Sequence, residues 1–385
     1  MPETAPKVWL LIATALLMLT LPGVALFYGG MVRKKNVLNT MGLPVLALVL
    51  VSLLWLLGGD LFFVSPGAAG NDRSGTAVLL LLYQMMAGAL ALALIAGALV
   101  ERVRVSFFLL LGLLWSLLVY RPVAQWLGSG WLADLGSLDY AGGAVIHISA
   151  GVSALVAAIV IGPRKGHGRI EMKPNNLPLS ACGASLLLVG WCGFSAGTGV
   201  AAMTTATGAF VAIQAAAAAG ALAWTVVEWL QRDKPTLLGT ISGAVAGLVA
   251  ASPAAGYVGP LAAIVIGIGA GGLCYMVVNF VKPILGYDDS LDVFGMHAVG
   301  GTWGMVATGL FASTAVNPDG SDGLFFGYPY QFFVQMVAVL TVWAYAGLLT
   351  MVLTKGLSLV LQPRVEGEEE IMGMDLAQHG ERGYS

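Results

Sequence analysis

Apolar residues run along this chain in long, nearly unbroken stretches, and short polar segments separate them. That is neither the strict alternation of a half-buried strand nor the single apolar stripe of a soluble helix. A helix needs roughly 20 apolar residues to cross a bilayer, so each stretch predicts a membrane span. Eleven are found, at 8–27, 43–64, 77–100, 105–120, 145–161, 177–196, 206–229, 237–251, 258–281, 298–312 and 331–361. The eighth and tenth are short. Pro163, Pro253 and Pro283 stand at ends of stretches, where helices stop. The pattern predicts an all-α membrane protein of about eleven transmembrane helices. Residues 1–361 form the transmembrane channel domain and 362–385 a C-terminal tail. No connection is long enough to fold as a soluble domain, so any catalysis would have to occur within the membrane or at its face.

The placement of charge sets the expected orientation. Arg33, Lys34, Lys35, Arg102, Arg104, Arg164, Lys165, Arg169, Lys173, Arg232, Lys234, Lys282, Lys355, Arg364 and Arg382 all fall on one side of this alternating path. They are fifteen of the 18 basic residues, against Lys7, Arg73 and Arg121 on the other side. The positive-inside rule then predicts a cytoplasmic C-terminus and an external N-terminus, which an odd number of spans satisfies. The segment from Met1 to Lys7 has no basic cluster before its apolar run, and that run is too long for a signal core, so it is expected to stay as the first helix.

Composition agrees. The chain is 58% hydrophobic and 10% charged with a mean hydropathy of +0.86. That is too little charge to coat a water-exposed surface. A net charge of -2 gives no sign of a nucleic-acid partner. The 52 glycines suit close helix packing in lipid. Cys182, Cys192 and Cys274 all lie in apolar runs; their odd number argues against a disulfide framework and predicts small packing residues.

Of four histidines, His167 and His379 lie in polar segments, whereas His147 and His297 lie within or at the edge of spans. An ionisable group at membrane depth is costly and usually faces a bundle interior or a water-filled path. The two histidines also stand at matching places. Asp139, Gly142-Gly143 and His147 open the fifth span, and Asp292, Gly295 and His297 open the tenth. This echo predicts a pseudo-twofold inverted five-helix repeat, with halves at roughly 1–165 and 175–315 plus a last helix at 328–361. Such repeats commonly place the substrate path at their interface. A zinc pair is a rival reading, but no third ligand stands at helical spacing. For Asp139 and Asp292 two readings remain open, helix N-capping and a fixed charge attracting a cation at the pore mouth.

Several segments carry a resemblance. They are L-P-G-V-A-L-F-Y-G-G-M-V-R-K-K-N (21–36), G-A-L-V-E-R, D-Y-A-G-G-A-V-I-H-I, G-W-C-G-F-S-A-G, S-G-A-V-A-G-L-V-A and L-D-V-F-G-M-H-A-V-G-G, and finally G-M-D-L-A-Q-H-G-E-R-G-Y in the tail. In this order they resemble the ammonium transporter (Amt/Rh) family, Amt branch, over nearly the whole chain. The resemblance implies a homotrimer in the cell (inner) membrane, each protomer with a hydrophobic pore and no cofactor. His147 and His297 match the family's paired pore histidines. It further implies that Phe194 is one of two stacked gate rings and that Thr198 stands where a serine hydrogen-bonds the ion. The tail, with Gly373, Asp375 and Tyr384, would touch the neighbouring protomer and help a PII-type signalling protein dock.

Two departures stand out. After Y-Q-M-M this chain has Ala87 where the family places the second gate Phe. The external loop A-Q-W-L-G-S-G-W-L-A is one residue short where the family places a cation-binding Trp, with Trp126 and Trp131 flanking the gap as candidate substitutes. The expected function is therefore transmembrane passage of ammonium/ammonia through a twin-histidine pore. The alternatives are a conduit for another small neutral solute such as carbon dioxide, or an ammonium sensor.

Overall fold

The computed structural model describes residues 4–58, 75–199 and 203–384. The end of the predicted second span (59–64), residues 1–3 and Arg73 lie outside the described residues. The first predicted span is two helices, α1 (Thr4–Met18) and α2 (Thr20–Met31). They part at Leu19 because Pro22 has no N–H to continue the ladder back to Met18. Then follow α3 (Val37–Gly58), α4 (Gly75–Leu99), α5 (Val105–Trp115), α6 (Arg121–Gly128), α7 (Trp131–Asp134), α8 (Ser149–Ile161), α9 (Leu177–Thr198) and α10 (Met203–Arg232). The remaining α-helices are α11 (Leu237–Ala251), α12 (Pro260–Met276), α13 (Lys282–Leu285), α14 (Val299–Phe311), α15 (Pro329–Ser358) and α16 (Gly367–Met372). Prolines at the first turns of α9, α12 and α15 start those helices where a missing N–H costs nothing.

Among the described residues, nine helical segments are long and apolar enough to cross a membrane. The eighth and tenth predicted spans appear as the shorter apolar helices α11 and α14. Large apolar side chains stand on the outer surface, Leu230 and Leu261 each 81% exposed. In water such a surface would aggregate, and in lipid it is the solvent-facing surface. This is a multi-pass membrane protein.

Close backbone approach holds part of the interior, beside fully buried large side chains such as Trp115, Trp191, Phe107 and Tyr275. Helix α10 lies against α11 and α12 through Gly220, Gly243, Gly247 and Gly271. Without a hydrophobic drive between helices in lipid, such contacts gain their stability from dispersion and geometry. Cys192 and Cys274 are buried, but Cys182 is exposed on α9, so it does not fill the packing role expected of all three.

At the end of the bundle that carries the basic loops, the charges form a buried network. Glu101 accepts hydrogen bonds from the Arg33 backbone N–H (2.9 Å), Asn36 Nδ2 (2.7 Å) and Arg164 Nη1 (2.9 Å). Arg164 also grips Asp288 through Nε and Nη2, the latter at 2.6 Å. His167 Nδ1 lies 3.2 Å from the same carboxylate, so this loop histidine is part of the network. Burial alone would raise Asp288, but Arg164 and Arg102 hold it well below the usual carboxylate range. Burial pushes Glu101 the same way, and Arg164 and Arg33 outweigh it.

The tail is laid across this network. Asn39 N–H donates to Asp375 Oδ1 at 2.9 Å and Met374 N–H to Asn36 Oδ1 at 2.9 Å. Lys35 Nζ caps the carbonyls of Glu370 and Ile371 at the end of α16. Glu370 accepts from Arg364 Nη2 (2.6 Å) and from the Lys165 backbone N–H (2.6 Å). Gly373 sits at φ +115° against the backbone of Lys35, where a side chain would be strained and crowded. Tyr384 accepts from Asn176 Nδ2 at 3.3 Å and lies under the Lys34 ammonium. His379 meets Asn39 Nδ2 through Nε2 at 3.0 Å.

Candidate functional site

His147 and His297 each ride on a widened π-helical turn, Gly143–Ile148 ahead of α8 and Phe294–Ala298 ahead of α14. Such turns recur at functional sites because they add a residue to the helix and re-aim a side chain. The two turns are built alike. Asp139 Oδ2 accepts from the N–H groups of Ala144 and Val145 at 2.9 and 3.0 Å. Asp289 Oδ2 accepts from Phe294 N–H at 2.7 Å. Ahead of each turn the backbone passes through the left-handed region, at Gly142 (φ 78°) and Asp292 (φ 61°). A glycine follows each histidine by four residues. A methyl on Gly151 would overlap the backbone nitrogen of Ala298, and one on Gly301 would come within 3.1 Å of His147 Cβ. Every one of these positions recurs 150 residues later, the separation of the two histidines themselves.

This correspondence corrects one expectation. The cap that matches Asp139 is Asp289, not Asp292. Asp292 matches Gly142, and its carboxylate instead meets Lys282 Nζ at 2.5 Å. An aspartate tolerates the left-handed conformation better than most side chains, which explains its presence there. Burial raises both capping carboxyls to about 6, against the N–H groups at Asp139 and against the Lys282 charge and then the N–H groups at Asp289. Asp289→Ala should therefore remove helix capping worth about 1 kcal/mol and loosen the His297 turn. Asp292→Ala should leave that turn intact. Hydrogen exchange of the 294–298 amides, compared between the two variants, checks this; equal protection would refute it.

His147 Nδ1 and His297 Nδ1 lie 3.3 Å apart, with ring centroids at 5.2 Å and planes 23° apart. His147 is fully buried and His297 is 4% exposed. At this contact one Nδ1 donates and the other accepts, so the accepting ring carries no proton on Nδ1. Trp191 stacks on His147 at 5.0 Å and 15°, and its Nε1 donates to Ser252 Oγ at 2.9 Å, which fixes the plane. His147 Nε2 has no hydrogen-bond partner.

Two cavities lie at either side of this pair. One, of about 270 Å³, is lined by Trp55, Tyr83, Ala87, Tyr120, Phe194 and Thr198 among others, with Asp139, Tyr140 and Ile146 at the approach to the histidine turn. The other, of about 320 Å³, has His297 and Met296 in its wall, with Phe27, Tyr28, Trp224 and Asp292. The second cavity thus reaches His297, and the first reaches Val145 and Ile146 of the turn that carries His147.

Ala87 and Phe194 both line the first cavity, but the ring beside Phe194 belongs to Tyr83, one turn before Ala87, at 5.7 Å. The Tyr83 hydroxyl donates to the Phe194 carbonyl and lies 3.0 Å from Thr198 Oγ1, occupying the group expected to bind an ion. Trp126 and Trp131 do not substitute for the missing Trp. Arg121, Ala124, Gln125 and Gly128 form the cavity face of α6, so Trp126 points away and packs edge-on against Tyr345 at 4.6 Å, with Trp131 behind it at 6.1 Å. The aromatic wall is made instead by Trp55 and Tyr120, 6.4 Å apart. These residues, with Trp191 and Asp289, were missed because an aromatic inside an apolar run carries no signal of its facing. Asp289 had one, an eight-residue spacing to His297 equal to that from Asp139 to His147.

No group of three or more possible metal ligands occurs among the described residues. The geometry so far describes two chambers, a buried imidazole pair and a membrane-crossing bundle. Residues 8–384 match the model of the Ammonium Transporter Family. An ammonium transporter of Bacillus subtilis is 44% identical over 99% of both chains. The ammonium transporter Amt1 of Archaeoglobus fulgidus is 42% identical over 98% of both. Among solved structures, Saccharomyces cerevisiae Mep2 superposes with a TM-score of 0.88 at 30% identity, covering 95% of this chain and 88% of that one. With residues 8–384 and these relatives matched in this way, the chain belongs to the ammonium transporter family.

Proposed function

We propose that this chain moves ammonium across the cell (inner) membrane as neutral ammonia, with the proton passed by way of His147 and His297. The observation that carries this reading is the pair itself, two buried rings sharing one contact at 3.3 Å between two chambers. Stripping the water from an ammonium ion in an apolar passage is very costly, whereas ammonia enters at little cost. A hydrogen-bonded imidazole pair can accept a proton at one chamber and release it at the other without either ring carrying a lasting charge. His297, in the wall of the larger chamber, would complete the transfer there.

The wider arrangement belongs to the same proposal. Eleven crossings, the nine long segments with α11 and α14, would put the termini on opposite sides, and the basic loops support a cytoplasmic tail. The 150-residue recurrence of the histidine turns supports a pseudo-twofold inverted repeat of five helices. A homotrimer, and a PII-type protein meeting the tail around Gly373, Asp375 and Tyr384, complete the proposal.

The test is current on a solid-supported membrane after an ammonium pulse onto proteoliposomes. A saturable current is expected. Folded protein that gives neither current nor ammonia flux by stopped flow would overturn the reading and favour a sensor or a conduit for carbon dioxide.

A further inference from the structure

Two glutamines one turn apart on α15, Gln331 and Gln335, are buried inside the bundle. A buried amide is costly unless both of its ends are hydrogen-bonded. Gln335 Oε1 accepts from Leu138 N–H at 2.9 Å and from Ser137 Oγ at 3.3 Å. Its Nε2 donates to the Leu138 carbonyl at 2.7 Å. One side chain thus grips both backbone groups of one residue, which takes a donor and an acceptor side by side. Gln331 Nε2 adds the Gly136 carbonyl at 3.0 Å. Leu138 is the residue before Asp139, whose carboxylate caps the His147 turn.

The same amide bears on the helix that continues the other histidine turn. Gln335 Nε2 lies 3.4 Å from the carbonyl of Met305 on α14, and a methyl on Gly309 of α14 would come within 3.1 Å of Gln335 Cγ. In turn α14 touches the His147 turn directly, since a methyl on Gly301 would come within 2.7 Å of the Gly143 carbonyl. The His297 turn has a support of its own at the matching place. The residue before its capping Asp289 is Asp288, whose carbonyl accepts from Arg102 Nη2 at 2.7 Å. Arg102 also bonds Ser290, on the same approach, whereas Gln335 reaches both histidine-bearing segments. We propose that Gln335 is a positioning residue for the histidine pair, setting His147 and His297 at the separation where one ring can donate to the other. The margin is small. The two Nδ1 atoms meet at 3.3 Å, so a slip of roughly 0.3 Å in either turn ends the hydrogen bond. The positioning rests on the transport reading only through its electrical readout.

The test is Gln335→Met, which keeps the length of the side chain and removes both hydrogen-bonding ends. Ammonium-pulse current and stopped-flow ammonia permeability are measured on one preparation, and nitrogen NMR of histidine-labelled protein reports whether an Nδ1 proton is shared. The expected ratio of current to permeability is at least about tenfold below the parent's, because small misplacements of reacting groups cost that much. The shared-proton signal of the parent should be lost with it. A variant that loses thermal stability yet keeps the ratio and the signal makes Gln335 a packing residue and overturns the proposal. So does a parent without the shared signal. Gln335→Asn, the same amide one methylene shorter, should change in the same direction and decides the matter if the methionine variant does not fold. If the parent carries no current, the transport reading fails and the NMR signal alone decides: loss in the variant keeps the positioning role, retention overturns it.

Discussion

His147→Ala should lower the ammonium-driven current by about 100-fold or more, the usual scale for removing a positioned proton-transfer group. The reason is geometric. Between the chamber beside Phe194 and the chamber walled by His297, the buried pair is the polar bridge, and its rings meet at a single 3.3 Å contact. Alanine leaves His297 without its partner and Trp191 without the ring it stacks on at 5.0 Å. Proton passage is then interrupted, while ammonia, which needs no proton acceptor, still fits the widened space. Solid-supported-membrane current and stopped-flow ammonia permeability, measured on the same preparation, separate these effects. Retention of full current in the variant would remove the histidines from the mechanism.

The largest stability effect is expected far from the pore. Glu101→Ala should destabilise the detergent-solubilised protein by about 3–5 kcal/mol, the scale for breaking a buried ion pair by deleting one partner. The Glu101 side chain is 1% exposed and holds Arg33, Asn36 and Arg164 together; without it two guanidinium groups face each other across a buried gap. Glu171→Ala is the control. Its pair with Lys173 is 71–75% exposed, and such pairs contribute little. Thermal aggregation profiles of the two variants check this, and equal profiles would refute it. The pH dependence has a definite sign. Glu101 and Asp288 are held below their ordinary range in the folded protein. Their contribution is complete above the unfolded carboxylate value of about 4, and it is lost as pH falls further toward the folded values. Stability should thus be flat between about pH 5 and 7 as far as these groups decide it, and fall below about pH 4.

The membrane fold was legible because span length and loop charge are one-dimensional signals, written in runs that any window detects. The histidine pair was legible for a related reason: ionisable residues are rare at depth, and two of them in similar settings stand out. What lay hidden was facing. Trp126 and Trp131 border the gap in the loop, yet α6 turns its Arg121–Gln125–Gly128 face to the cavity and its tryptophan to Tyr345. Asp292 precedes its histidine in a context like that of Asp139, yet the carboxylate that binds the turn is three residues earlier. In both cases the deciding fact was an angle around a helix or a left-handed residue, which sequence records only through spacing. The 150-residue offset would have assigned Asp289 had it been applied to the aspartates as well as to the histidines.

The tail joins the two ends of the chain in time as well as in space. Asn39 and Asp375, which share a hydrogen bond, are 336 residues apart, so a ribosome must complete every helix before that bond can form. Until then Lys35, Asn36 and Asn39 wait at the membrane surface with only part of their partners. The closing of the tail therefore follows the synthesis of the helices described before it, and it separates chains with the tail in place from chains without it. A chaperone or protease that reads the uncovered 33–39 loop would distinguish the two without inspecting the pore.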